Sequence, residues 1–448
     1  MENNIQKVEK LSQTTTWKGV IVGIMTILLL IPGAMIENLI TERQQRSNET
    51  IQKINEKWSN AQTISGPLLI IPYQIKSTDS KNNVTVKKFN FFLTPEVLKI
   101  NAKLTPEERH YGIYKSILYK SKIEMSGNFK NPMPFLPINA EVNWNDVHVR
   151  IGISDLRGIS NNMMLNVNDV PTTAEAGGSN DAIGQGLIMH LKNPESLINA
   201  QMATFNCVLM LNGSSNINFV PIGKTTQVEM IGLWKSPGFI GSFTPEYSLS
   251  NTSFNAKWSV LHFNRNIPES WTDNEVKSIS ETSFGVNLVD TVDHYQQNMR
   301  SAKYSILFIA LTFVVFFFVE IITRKPIHPI QYLLVGIALI LFYSLLLSIS
   351  EQLNFAIAYV IASLSTITLI VTYSHSIFKN KVQTAIMASI LSLLYIFLYV
   401  VLQLEDVALL IGSIGLFVIL AIIMFVSRKI SWYKSDGFEQ SKSDLLNQ

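Results

Sequence analysis

The most suggestive titratable side chains of this sequence are Asp290, Asp293 and His294, which lie close together along the chain. Two carboxylates and an imidazole can ligate a metal ion or act as a general acid and base. They lie directly before a long apolar stretch, where polar residues are expected at the membrane surface. No cluster of His or Cys lies near them in the sequence. We therefore predict no metal site here and retain Asp293 and His294 as part of a candidate interaction surface.

A second candidate is the pair Asp155 and Arg157, separated by one residue. Residues two apart on a strand point to the same face. The sequence therefore predicts a local ion pair on a strand, and we add both residues to the candidate interaction surface.

Gly223-Lys224-Thr225 resembles the end of a phosphate-binding loop. Such a loop needs a glycine five residues before its second glycine, so that backbone amides can surround the phosphates. That position is Asn218. We interpret the segment as a hairpin turn.

Three common motifs of catalytic and metal-binding sites are absent from the sequence. It contains no H-E-x-x-H, G-x-S-x-G or C-x-x-C. Its single cysteine, Cys207, lies in an apolar run typical of a buried strand, so no intrachain disulfide can form. We predict a protein that is not an enzyme, with no catalytic residue, no cofactor and no metal.

These residues belong to a chain with the composition of an integral membrane protein. Of its 448 residues, 47% are hydrophobic and 15% are charged, whereas soluble domains carry roughly 25% charged residues. The formal net charge of +3 gives no sign of the basic stripe that nucleic-acid binders carry. We expect the lipid bilayer as a partner and no nucleic acid.

Six apolar stretches are long enough to cross a bilayer as helices, which takes about 20 residues. The first, residues 19–36, could also be the core of a signal peptide. No A-x-A-like cleavage site follows it, so an uncleaved anchor is favoured. The other five form a predicted bundle over residues 304–426 and lie at residues 304–322, 330–349, 355–373, 385–402 and 407–426.

Loop charges predict the orientation of these helices, because Lys and Arg accumulate in cytoplasmic loops. Lys10 and Lys18 precede the first span, and basic residues also follow the second, fourth and sixth spans. The alternate loops, residues 350–354 and 403–406, carry acids and no bases. Six spans with a cytoplasmic N-terminus (1–18) and a cytoplasmic tail (427–448) satisfy this pattern, and residues 37–303 then lie outside.

The exported segment, residues 37–303, has the composition of a folded domain. Residues 37–60 have apolar side chains at helical spacing and no Gly or Pro, which predicts a stalk that continues the first span. Beyond Ser65 the apolar period changes to two, as in residues 98–104 and 147–153, which predicts antiparallel sheets with one buried face. Predicted turns lie at Ser65-Gly66-Pro67 and Asn212-Gly213, and a predicted long loop covers residues 171–186.

Ionisable side chains inside membrane helices are costly and usually functional, and the predicted spans contain almost none. Glu320 lies near the cytoplasmic end of the second span, where helical spacing predicts an interfacial pair with Arg324. The hydroxyl residues of the spans form no obvious ion or proton path. This scarcity weighs against a coupled transporter.

Short motifs follow one another along the chain, among them Ser65-Gly66-Pro67-Leu68, Leu93-Thr94-Pro95-Glu96 and His328-Pro329-Ile330-Gln331. Taken in order, the series resembles the CreD family of bacterial inner-membrane proteins, also called cell envelope integrity proteins. The resemblance runs from the first span to the last. Two departures are minor, namely Phe243-Thr244-Pro245 in place of a Phe-Leu-Pro phrase and the segment 171–186. The motifs are Ile31-Pro32, Glu42-Arg43, Ser65-Gly66-Pro67-Leu68, Leu93-Thr94-Pro95-Glu96, Glu108-Arg109-His110-Tyr111, Ser154-Asp155-Leu156-Arg157-Gly158, Trp234-Lys235-Ser236-Pro237-Gly238, Asp293-His294-Tyr295, Arg300, Lys303-Tyr304, His328-Pro329-Ile330-Gln331 and Ser350-Glu351.

The residues themselves thus predict an integral membrane protein of six helices, with a large β-rich periplasmic domain inserted between the first and the second. The resemblance implies that this protein is linked to sensing or withstanding envelope stress, since relatives are tied to a two-component regulatory system and to altered tolerance of colicins and β-lactams. It implies no catalytic residues. Two hypotheses remain open. In the first, the domain is a scaffold that binds envelope proteins or cell-wall components; in the second, the helix bundle transports a solute or handles lipid. The sequence does not specify an oligomeric state.

Overall fold

The protein is described by a computed structural model, which covers residues 15–78, 84–180, 183–199, 201–273, 282–288, 294–323, 326–404 and 407–428. The chain divides into two compact units. The helical unit combines Met1–Arg46 with Val292–Gln448, and the β-rich unit comprises Ser47–Thr291. An N-terminal apolar helix, a large β-rich domain and a C-terminal helical bundle are therefore all present, as the sequence predicts.

Long continuous apolar stretches form most helices of the helical unit, and polar side chains fix where several of them begin. The imidazole of His328 accepts from the backbone N–H of Ile330, and Gln331 Oε1 accepts from the N–H of His328. Asn354 and Asn380 cap the next two helices in the same way. The helices are α1 (Thr15–Leu28), α2 (Leu30–Trp58), α3 (Ser196–Asn199), α4 (His294–Lys303), α5 (Ser305–Thr323), α6 (Pro329–Ser350), α7 (Phe355–Phe378), α8 (Lys381–Gln403) and α9 (Ala408–Ser427).

Four helical stretches are long and apolar enough to cross a membrane: Trp17–Trp58, which includes most of α1 and all of α2, and the helices α6, α7 and α8. Together, α4 and α5 give a fifth candidate with a bend of 44° between them. Helix α9 contains a shorter apolar stretch, Leu410–Phe425. The described residues thus hold four or five candidate spans, and the count of six stays a prediction.

Aromatic side chains fill the interior of the bundle. Phe342 packs edge-on against Tyr359 and Tyr395, with ring centroids 5.5 and 4.8 Å away. The Tyr359 hydroxyl donates to the backbone carbonyl of Tyr395 at 2.7 Å. Buried hydroxyls of α7 donate to carbonyls of their own helix, namely those of Ser363, Thr366 and Ser374.

The β-rich unit contains two sheets. Their strand orders are β14-β18-β12-β1-β6-β10-β9, with β2, β5 and β17 attached to the first sheet, and β15-β16-β13-β3-β4-β11-β7-β8 for the second. The strands are β1 (Gln62–Thr78), β2 (Val84–Leu93), β3 (Val97–Tyr111), β4 (Tyr114–Lys130), β5 (Glu141–Val142), β6 (His148–Ile153), β7 (Met164–Val167), β8 (Val170–Thr173), β9 (Glu175–Asn180), β10 (Gly184–His190), β11 (Met202–Ser214), β12 (Asn216–Phe219), β13 (Thr225–Gly232), β14 (Pro237–Gly241), β15 (Glu246–Leu249), β16 (Phe254–Leu261), β17 (Ser270–Thr272) and β18 (Phe284–Leu288).

Side chains from both sheets form one hydrophobic core. The predicted alternation on β3 is confirmed, because Leu98 and Ile100 are buried while Lys99 and Asn101 face solvent. On β6, the predicted alternation of buried and exposed residues is wrong for the face that carries Arg150. Arg150 is also buried, since β6 is an interior strand whose second face is covered as well.

Two predicted turns are parts of strands. Strand β1 runs through Gly66 and Pro67, where its register against β6 shifts between Ser65 and Leu68. Gly66 has a φ of 120°, which only glycine adopts readily, so the segment forms a bulge instead of reversing the chain. Asn212 and Gly213 lie within β11, which continues to Ser214 and ends before Ser215, a residue with a φ of 61°.

The predicted long loop over residues 171–186 is largely strand. Its residues contribute to β8 and β9 and to the start of β10, while residues 181 and 182 lie outside the described residues. The Gly-rich and polar composition of this segment resembles that of a loop, but backbone pairing with β10 holds β9 in the sheet. The stalk prediction is confirmed in its secondary structure, since α2 continues as a helix to Trp58.

Candidate functional site

Asp155 and Arg157 form the predicted ion pair, but they do not lie on a strand. Strand β6 ends at Ile153, and Asp155 caps a short 3-10 turn, with its carboxylate accepting the backbone N–H of Arg157 at 3.1 Å. A short Asp side chain competes in this way with strand pairing, which is why the strand stops here. The Arg157 guanidinium then donates twice to the same carboxylate, at 2.9 and 2.7 Å.

This ion pair holds the C-terminal end of helix α2. Arg157 Nη1 donates to the carbonyl of Glu56 at 2.7 Å, and Asp155 Oδ2 accepts from the backbone N–H of Asn60 at 2.9 Å. A cation at a helix C-terminus is favourable, because the last carbonyls of a helix lack partners within it. Hydrogen bonds from Arg157 lower the pKa of the Asp155 carboxyl to about 2, against the opposing effect of burial.

Gln62, the first residue of β1, is fully buried beside Asp155, where the end of α2 meets the turn after β6. Its amide nitrogen donates to the Ser59 hydroxyl and to the carbonyls of Asp155 and Asn212, at 2.8, 2.9 and 3.1 Å. Its amide oxygen accepts from the backbone N–H of Asp155 at 3.2 Å. We call Asn60, Gln62, Asp155, Arg157 and Gly158 the stalk joint.

Gly158 allows these groups to approach one another. A Cβ at this position would lie 2.2 Å from the carbonyl oxygen of Asn212 and 2.6 Å from Gln62 Nε2. Neither atom can move freely, because each belongs to the hydrogen-bond network of the stalk joint. The joint therefore requires glycine at 158.

The β3–β4 hairpin supports the same end of α2. The Ser116 hydroxyl donates to Asn55 Oδ1 at 2.6 Å, and the Arg109 guanidinium lies over the Trp58 ring at 4.7 Å from its centroid. A cation over the face of an indole is attracted by the ring electrons. Residues 47–58 of α2 are thus held by two parts of the β-rich unit, the turn after β6 and the β3–β4 hairpin.

Of the other two candidate residues, Asp293 lies outside the described residues, as does Asp290, and His294 begins helix α4 in the helical unit. Its backbone carbonyl accepts from Asn298 Nδ2 at 2.7 Å, and the same amide nitrogen donates to Ser350 Oγ at 2.8 Å. The Tyr295 hydroxyl donates to Glu351 at 3.2 Å. These bonds join α4 to the end of α6, so this part of the candidate surface belongs to a packed helix contact.

Glu320 has buried partners that the sequence did not reveal. Its carboxylate pairs with Lys18 of α1, accepts the Tyr332 hydroxyl at 2.9 Å and accepts the backbone N–H of Ile327 at 3.1 Å. The predicted partner, Arg324, lies outside the described residues. A cavity of about 290 Å³ lies beside this carboxylate and is lined by Lys18, Ile21, Val22, Glu320, Ile327, His328, Pro329 and Tyr332.

The segment that resembles a phosphate-binding loop connects the two sheets, so the prediction of a hairpin is wrong. Strand β12 before it belongs to the first sheet and β13 after it to the second. Lys224 makes ion pairs with Glu96 and Glu269 at 3.2 and 3.5 Å, and the Gly223 carbonyl accepts from Arg265 Nε. Lys224 therefore belongs to a network of ion pairs that stabilises the connection between β12 and β13.

Within the described residues, no group of three or more His, Cys, Asp or Glu lies close enough to hold a metal ion. Cys207 is buried on β11, and burial raises the pKa of its thiol to about 12.

Comparison with known proteins gives a family match over nearly the whole chain. The family model described as "Inner membrane protein CreD" matches residues 14–433. A curated relative from Escherichia coli (strain K12), "Inner membrane protein CreD", is 33% identical over 423 residues, which cover 93% of each chain. The likeness therefore extends over both units.

Proposed function

Because this chain belongs to the CreD family of inner membrane proteins, we propose that it maintains envelope integrity through a periplasmic β-rich unit that acts as a binding or scaffold module. The partners are envelope proteins or cell-wall components, and the helices anchor the module in the bilayer. No step of catalysis is assigned to it. The alternation of basic and acidic loops supports six spans with both termini in the cytoplasm.

The observation that carries this proposal is the stalk joint. A simple anchor needs only a flexible tether, whereas here α2 enters the β-rich unit through a buried and densely hydrogen-bonded network around Gln62 and Asp155. Satisfied polar networks of this kind rigidify the structure around them. In this proposal, a binding event or a load on the sheets is passed to the C-terminal part of α2, residues 47–58, which the joint holds.

Insertion of a flexible Gly-Gly-Ser segment between Asn60 and Ala61 tests this role. The insertion lies outside the spans and the strands and breaks the short backbone link between Asn60 and Gln62, so that the end of α2 is no longer held in register with β1. A matched control carries the same insertion between Asn251 and Thr252, in an exposed turn before β16. Both chains are expressed in a strain that lacks the gene, and their membrane levels are matched by immunoblot.

We expect the control chain to restore β-lactam tolerance. The chain with the insertion between Asn60 and Ala61 should fail to restore it. Full restoration by the joint insertion would contradict a rigid connection as the basis of function.

Transport or lipid handling is a second candidate, favoured by the cavity beside Glu320. A transport role that uses this carboxylate predicts that Glu320→Gln abolishes β-lactam tolerance at a normal protein level. The scaffold role predicts that tolerance persists. The aromatic interior of the bundle and the hydroxyls of α7 that bond within their own helix support the scaffold role.

A further inference from the structure

We propose that His148 and His190 form an open binding site for one divalent transition-metal ion of the class that prefers imidazole ligands, such as Cu²⁺, Ni²⁺ or Zn²⁺. The site lies on the first sheet of the β-rich unit and is separate from the stalk joint. The two residues lie far apart in the sequence and are brought together only by strand pairing, so no spacing along the chain groups them.

The register of the sheet brings the two imidazoles together. Strands β6 and β10 are antiparallel, and His148 lies directly opposite His190. Directly opposed residues point to the same face, with Cβ atoms about 4.5–5.5 Å apart. The ring centroids are 5.2 Å apart, with an angle of 45° between the ring planes.

This separation suits a shared metal ion. Zinc–nitrogen bonds measure about 2.0–2.1 Å in tetrahedral sites, and two imidazole rings on one such ion have centroids about 5 Å apart. The observed centroid separation of 5.2 Å matches this spacing. His148 is partly buried and His190 is exposed, so an ion can enter from solvent.

A hydrogen bond prepares His148 as a ligand. Its Nδ1 lies 2.8 Å from the carbonyl oxygen of Asp146, an acceptor, so Nδ1 carries the proton and Nε2 presents its lone pair. Metal-ligating histidines commonly donate their other N–H to a carbonyl in this way.

Charges of both signs lie near the pair. Arg150 shares the face of His148 and its positive charge acts on that ring, while its Nη2 donates to the carbonyl of Gly184, beyond the Gly152–Gly186 pair. The carboxylate of Asp146 lies near His148 and supplies a compensating negative charge.

The site is open, because two imidazoles occupy only part of the coordination sphere of such an ion. Water or a group from a partner completes it. Imidazole sites follow the order of affinity in which Cu²⁺ binds more tightly than Ni²⁺ or Zn²⁺, so Cu²⁺ is the most sensitive probe.

Isothermal titration of Cu²⁺ into the full-length protein tests the proposal. The protein is purified in detergent without a histidine tag and stripped with a chelator beforehand. His148→Gln and His190→Gln remove one ligand each, and His110→Gln removes an exposed histidine on the β3–β4 hairpin as a matched control. Electron paramagnetic resonance of bound Cu²⁺ reports the number of ligating nitrogens.

We expect one saturable site in the wild type and in His110→Gln, a spectrum with two imidazole nitrogens, and affinity weaker by about tenfold or more in each of the other variants. Unchanged thermal unfolding of the metal-free variants excludes misfolding as the cause of any loss. The proposal is overturned by the absence of saturable binding in the wild type, or by wild-type affinity in His148→Gln or His190→Gln.

Discussion

Asp155 and Arg157 are joined by two parallel hydrogen bonds, from Nε to Oδ1 at 2.9 Å and from Nη2 to Oδ2 at 2.7 Å. The same carboxylate accepts the backbone N–H of Asn60 just beyond helix α2. One side-chain pair therefore fixes the end of the stalk to the turn after β6. Its energetics should be visible in the stability of the β-rich unit.

We expect the ion pair to make stability depend on pH in the acidic range. The pKa of Asp155 falls from its ordinary value of 3.8 to about 2 in the folded protein. A lowered carboxyl pKa adds stability above the unfolded value, and this contribution is lost as pH falls through the folded value. At pH 7, Asp155→Asn should lower the free energy of unfolding by about 1–2 kcal/mol, and the difference should shrink between roughly pH 4 and pH 2.

Denaturant unfolding followed by tryptophan fluorescence measures this effect. Glu141→Gln is the matched control, because Glu141 pairs with Lys76 on an exposed surface where ion pairs contribute little. A loss of stability at pH 7 that is equal for both variants would rule out a special role for Asp155.

Gly158→Ala should destabilise the β-rich unit through a steric clash alone. The added Cβ would lie 2.2 Å from the carbonyl oxygen of Asn212, so backbone must shift, at a cost of about 1–3 kcal/mol. Gly23→Ala on α1 serves as the control, since no atom lies within 4 Å of its added Cβ. An unchanged unfolding midpoint for Gly158→Ala would mean that the joint is less tightly packed than these distances require.

The Lys18–Glu320 pair should behave as a coupled unit in a double-mutant cycle. Lys18→Met removes a cation that pairs with the buried Glu320 carboxylate, and loss of one partner of such a pair is destabilising. Because Lys18 is partly exposed, we expect a loss of about 1–2 kcal/mol, which lowers the thermal midpoint of a unit of this size by roughly 2–8 °C. The Lys18→Met/Glu320→Gln double variant should recover much of that loss. Additive effects of the two substitutions would argue against the pairing.

Cys207 should resist thiol reagents in the folded protein. Its side chain is only 3% exposed, and burial raises the pKa of the thiol to about 12, whereas the reactive form is the thiolate. A membrane-impermeant maleimide should label the wild type only after denaturation, and labelling of the native protein would contradict the buried position on β11.

The inert Cys207 allows introduced cysteines to report the topology. Lys87→Cys and Gln352→Cys, both at exposed positions, should be labelled in cells whose inner membrane is intact. Lys379→Cys should be labelled only after the membrane is permeabilised. The reverse pattern at any one of these sites would contradict the proposed orientation.

Local periodicity was enough to predict the two kinds of structure in this chain. Spacings of two and of roughly 3.6 residues are properties of the backbone, so the strand β3 and the helical stalk could be recognised from sequence. The β6 alternation failed at Arg150 because its second face is covered by distant segments, which no local pattern reports. The strands within residues 171–186 were missed because pairing with β10 overrides a loop-like composition.

The candidate site was predictable only in part, for the same reason. Asp155 and Arg157 are close in sequence, so their ion pair could be anticipated. Gln62 joins them from a different strand, and Lys18 reaches Glu320 from a different helix. Such contacts depend on the tertiary fold and leave no signal in the spacing of residues.

Deletion of the strands of the β-rich unit separates its contribution from that of the helices. Residues 62–288 run from the start of β1 to the end of β18 and can be replaced by a short Gly-Ser linker, with insertion of the shortened chain verified by membrane fractionation. In a strain that lacks the gene, we expect the full-length protein to restore β-lactam tolerance and the shortened chain, at the same membrane level, to fail. Restoration by the shortened chain would show that the helices alone carry the function and would overturn the proposed role of the β-rich unit.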